Sequence, residues 1–110
     1  MDDLVKMNTA AGLLLSCISL PLVANLIKPN WFYGFRVKQT LEDPEVWYKT
    51  NHYAGQHLLA AGIFITGSAI ALSLIPGISV DAYALLTAAV ALSALGFSVV
   101  RSWRYMKSIL

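Results

Sequence analysis

"MNTAAGLLLSCISLPLVANLI", Met7–Ile27, runs for 21 residues without a charged side chain. A helix needs about 20 predominantly apolar residues to cross the ~30 Å hydrocarbon core of a bilayer. Two further blocks of the same kind follow, Tyr53–Ile75 and Ala82–Val100. A transmembrane strand alternates polar and apolar residues, and none of the three blocks does. The expectation is an all-α membrane protein with spans at about 7–28, 54–75 and 81–101. Composition agrees: 57% of the residues are hydrophobic and 13% charged, where a soluble domain carries about 25% charged residues. A chain of 110 residues is expected to form one domain. The net charge of +2, with no basic stripe, argues against nucleic acid as a partner. Cys17 is the only cysteine, which excludes an intramolecular disulfide.

The blocks have interpretable ends. Lys6 and Lys28 bracket the first, and Pro29 is expected to end its helix, because proline breaks the hydrogen-bond ladder and restricts the residue before it. Pro76-Gly77 stops the second block and starts a turn, after which Ser79 or Asp81 caps the third. So short a connection makes the second and third helices antiparallel neighbours. Arg101, Arg104 and Lys107 close the third block, with Trp103 and Tyr105 among them as interfacial anchors. "MDDLVK" has the wrong sign for a secretory leader, and apolar sequence continues past the lipoprotein-like "LLLSC", so an uncleaved span is expected. Basic residues then orient the molecule. Lys28, Arg36, Lys38, Lys49, Arg101, Arg104 and Lys107 share one side, and Lys6 stands alone on the other. The positive-inside rule places the N-terminus outside and the 29–53 loop and C-terminus in the cytoplasm.

That loop, flanked by greasy blocks, is dense in polar and aromatic residues. Trp31, Phe32, Tyr33 and Phe35 suit a headgroup-level anchor, with Gly34 marking a tight turn or a close backbone approach. Arg36 and Lys38 can meet lipid phosphates; alternatively Arg36 forms a buried pair with Glu45 or Glu42 that locks the loop. Asp43, Pro44 and Glu45 read as an N-cap, a first helical residue and a favourable charge at the positive end of the helix dipole. A short cytoplasmic interfacial helix is expected from Pro44 to about His52, running or bending into the second span. Trp47 and Asn51 would share one face of it, and Glu45 and Lys49 would pair across one turn.

The pattern "NWFYGFRVKQTL", Asn30–Leu41, followed by "WYKTNHYAG", Trp47–Gly55, resembles the signature of the SdpI family. Its namesake is a bacterial membrane protein that gives immunity to a secreted toxin peptide. The resemblance implies a helical module in a bacterial cell (inner) membrane that is not an enzyme. By the same resemblance it confers resistance to an antimicrobial or toxin peptide, with a cytoplasmic regulator as a second partner. The matching positions available to bind a ligand or partner are Asn30, Tyr33, Gly34, Arg36, Thr40, Trp47, Asn51, Tyr53 and Gly55. The namesake carries further spans before this module, whereas this chain has one. Read from the residues alone, the same positions serve equally as a structural cap over the helices.

Chemistry beyond this is sparse. His52 and His57 are five residues apart, on different helical faces, with no cysteine or acid at a ligand spacing, so neither a metal nor another cofactor is expected. No nucleophile–base–acid set, phosphate loop or intramembrane carboxylate is present, which argues against catalysis. A polar residue inside a span faces other helices or a watery cavity. Asn25, His57 and Thr66 therefore form a candidate intramembrane polar site, the path required by the alternative function of a small oligomeric transporter or channel for a peptide, lipid or drug. Small residues spaced by four, Gly12/Ser16, Gly62/Thr66, Gly67/Ala71, Ala84/Ala88 and Ala89/Ser93, permit close helix packing, either within the chain or across a homodimer.

Overall fold

The computed structural model describes residues 1–110. Four helices follow in order: α1 (Asp2–Val23), α2 (Lys38–Glu42), α3 (Pro44–Ser73) and α4 (Val80–Ser108). α1, α3 and α4 are each long and apolar enough to cross a membrane. The molecule measures 51 × 22 × 18 Å, and α3 accounts for much of its length: 30 residues at a rise of ~1.5 Å extend about 45 Å. That exceeds the ~30 Å hydrocarbon core, so the first turns of α3 project beyond it. The helix expected at Pro44–His52 is this projecting end, continuous with the second span and not a separate element. The separate short helix is α2, which precedes it.

Two helix starts follow the sequence. The Asp43 side chain accepts the Glu45 N–H at 2.9 Å, with Pro44 in the first turn. Ser79, not Asp81, caps α4 by accepting the Ala82 N–H at 3.0 Å. The end of α1 does not follow it. The helix stops at Val23, well before Pro29, because Asn25 takes a left-handed conformation with φ 58°. The Leu26 N–H bonds the Pro21 carbonyl at 2.9 Å and the Asn25 N–H bonds that of Leu22 at 3.2 Å. This is a Schellman closure, with asparagine where glycine is commoner.

α3 lies at the centre. α1 runs along one side of it and α4 along the other. The α1–α3 seam is built on small residues. A Cβ added to Gly12 would strike Thr66 Oγ1 and lie 2.9 Å from the Gly62 carbonyl; one added to Gly62 would strike Ser16 Oγ and lie 2.8 Å from the Gly12 carbonyl. Backbones this close exchange dispersion contacts along the whole seam, which is what holds helices together where lipid removes the hydrophobic drive. Gly12/Ser16 and Gly62/Thr66 are thus used inside the chain, while Gly67 has open space around it. On the opposite side the Tyr83 hydroxyl donates to the Ala69 carbonyl at 2.9 Å, and Ser98 Oγ, whose proton goes mainly to Ala94 of its own helix, lies 3.3 Å from the His57 carbonyl, so that α3 and α4 are antiparallel neighbours.

Candidate functional site

The signature residues converge on one end of the bundle, where the 24–43 loop folds over the start of α3. Asn30 shapes the loop first. Its Oδ1 accepts the N–H groups of Phe32 and Tyr33 at 2.8 and 2.7 Å, and its Nδ2 donates to the Lys28 carbonyl at 2.7 Å. The turn brings Gly34 onto α3 with φ 108°, a conformation natural to glycine. A Cβ here would lie 2.6 Å from Asn51 Oδ1 and 3.3 Å from the Trp47 ring.

Trp47 and Asn51, one helical turn apart, receive this loop. Trp47 is fully buried, and its indole N–H donates to the Ile27 carbonyl at 2.8 Å. Asn51 Oδ1 accepts the Phe35 N–H at 2.5 Å, while its Nδ2 donates to the Trp47 carbonyl at 3.0 Å. Thr40, also buried, accepts the Val37 N–H at 2.9 Å and donates to the Phe35 carbonyl at 2.9 Å. It thereby supplies one half of a capping box for α2. The buried side-chain groups of the signature thus satisfy one stretch of non-helical backbone, as irregular chain beside a membrane requires.

Other residues face elsewhere. Arg36 is exposed and donates to the Trp31 carbonyl. The alternative of a buried pair with Glu45 or Glu42 is not formed: Arg36 stays exposed, and Glu45 is taken by Lys49 at 2.7 Å in an exposed i,i+4 pair. That carboxylate raises the Lys49 pKa through its hydrogen bond and charge. Burial raises the Tyr33 phenol above its usual 10.0. Gly55 packs on Leu22 and Val23 of α1. Tyr53 turns the other way and stacks on Tyr105 of α4, with ring centroids 4.3 Å apart and planes at 3°. Phe35 meets Trp103 at 6.4 Å, so the loop and the end of α4 share one end of the molecule. Trp31 and Phe32 point outward, 74% and 88% exposed.

A family model, the SdpI/YfhL protein family, matches residues 26–102. The chain belongs to this family. The match begins at the loop and takes in the cap, α3 and most of α4. No curated protein and no solved structure matches the chain. The SdpI/YfhL signature in this chain is therefore, in physical terms, a loop-to-helix clamp.

The three intramembrane candidates are not brought together. Asn25 is exposed at the end of α1, Thr66 donates to the Gly62 carbonyl at 2.9 Å on the α1 seam, and His57 faces α4. His57 lies between Tyr53 and Phe97, at centroid distances of 4.7 and 5.9 Å, and lines a lateral groove of about 520 Å³ between α3 and α4. Sequence reading missed this groove, which depends on which small residues of the two helices are brought face to face. It also missed His52, whose Nδ1–H donates to the Val23 carbonyl at 2.6 Å and closes the end of α1. The available signal was a histidine one turn past Tyr48, on the stripe that continues to Gly55.

Proposed function

We propose that this chain is a non-enzymatic membrane immunity or sensor protein, giving resistance to a membrane-active toxin or antimicrobial peptide and presenting its loop cap to a cytoplasmic regulator. Family membership supports the class. The observation that carries the reading is the division of labour in the cap. Asn30, Thr40, Trp47 and Asn51 are consumed in holding the loop. Trp31, Phe32, Arg36 and Lys38 are left facing outward, and Trp31, Arg36 and Lys38 line a second pocket of about 560 Å³. A rigid aromatic and basic surface of this kind suits recognition of a partner or of lipid phosphate. The excess of basic residues at this end supports a cytoplasmic cap.

The test is survival of a sensitive bacterium expressing the chain under challenge with membrane-active peptides. Wild type should protect. The exposed double substitution Trp31→Ala with Phe32→Ala should insert normally yet protect less. A chain that protects against no peptide tested and recruits no protein to the membrane would sink the proposal.

A further inference from the structure

We propose that the α3–α4 groove is a binding site for a single anionic phospholipid, entered sideways from the bilayer. The volume of about 520 Å³ lies within the ~300–1,000 Å³ typical of small-molecule sites. Its lining is ordered by polarity along the helix axes. Phe64, Ala89 and Val90 are apolar and deep. His57 and Ser98 are level with one another, as their 3.3 Å contact requires. Arg101, one turn farther toward the end of α4, lies over the Phe97 ring at 5.9 Å from its centroid. Acyl chain, ester and charged headgroup follow one another in the same order in a leaflet. His57 lies about 5 Å inside the expected start of its span, just beneath the ester region that borders the hydrocarbon core.

Two polar groups of the lining lack partners. The imidazole nitrogens of His57 take no hydrogen bond from the chain, and neither does Ser93 Oγ. Ser16, Ser98 and Ser102, by contrast, each donate to the carbonyl four residues back. Unmet polar groups facing hydrocarbon are costly; a phospholipid ester is within reach of His57, and Ser93, about 7 Å deeper, lies against the acyl chain. Arg101, over the Phe97 ring that lines the groove, puts a positive charge at its mouth, which selects an anionic headgroup over a zwitterionic one. A second copy of this chain could fill the apolar part, but it would bring its own cations at the same depth, so charge favours lipid.

The test is native mass spectrometry of the purified full chain in detergent with equimolar phosphatidylglycerol and phosphatidylcholine. Phosphatidylglycerol should be retained preferentially. Arg101→Gln should reduce that preference about fivefold, the contribution of one basic residue at an anionic headgroup. Ser93→Leu, at an exposed position that leaves the helix intact, should cut retention of both lipids by filling the groove. Equal retention of the two lipids by wild type, or retention unchanged by both substitutions, would overturn the proposal. So would a disulfide-linked dimer of Ser93→Cys in a Cys17→Ser background, which would assign the groove to a second copy.

Discussion

Asn51 shows how one side chain can decide a fold locally. It closes the loop by meeting both polar groups of Phe35, with Nδ2 at 3.5 Å from that carbonyl. Asn51→Ala leaves a buried N–H unmet, at a cost of about 1–3 kcal/mol. The expected result is a lower unfolding midpoint in detergent, with Trp47 fluorescence shifting early because the loop opens first. Gly34→Ala adds backbone strain to a collision with Asn51 and should lower the midpoint at least as much. Alkaline pH should act on the same cap. Tyr33 and Lys49 both have raised pKa values in the folded chain, so each favours folding while protonated. Their contribution is complete below pH 10 and fades as the pH climbs through the folded values. Tyr33→Phe should blunt that loss in a pH series of melting curves. Trp47 and Asn51 were visible in sequence as two residues on one helical face. Their partners were not, because Ile27 and Phe35 contribute only backbone atoms, which carry no residue signature.

At the scale of elements, the beginnings of helices were readable and one end was not. Asp43-Pro44 and Ser79 announce α3 and α4 by side-chain chemistry that acts within three residues. α1 ends through a left-handed Asn25, a conformation that asparagine adopts only in some settings, while Pro29 offered a more conspicuous stop farther on. The α1–α3 seam supplies the sharpest prediction. Gly62→Leu forces a side chain against the Gly12 and Ser16 backbone and must push the helices apart. Overpacking of this kind costs about 1–3 kcal/mol. Gly67→Leu, on open space, should be neutral. Disulfide trapping between α1 and α3 would report the difference: slower for the first variant, unchanged for the second.

For the whole molecule, three apolar blocks separated by polar connections were enough to specify an all-α membrane protein. The lateral groove needed coordinates, since it arises where small residues of two separate blocks, among them Ala60, Ala61, Ala89 and Ala94, are brought face to face. Orientation can be checked in intact cells with a membrane-impermeant maleimide in a Cys17→Ser background. Pro76→Cys should label from outside and Lys38→Cys only after lysis; the reverse pattern would invert the proposed topology. The central place of α3 also bears on how the chain is made. Every hydrogen bond of the cap lies between Val23 and His52, and the glycine seam is complete by Thr66. Both precede α4 in synthesis. A nascent chain held at the ribosome with α4 still unreleased should already carry a protease-resistant loop. The last helix would then dock onto a finished two-helix unit, and the groove would come into being only at that final step of biogenesis.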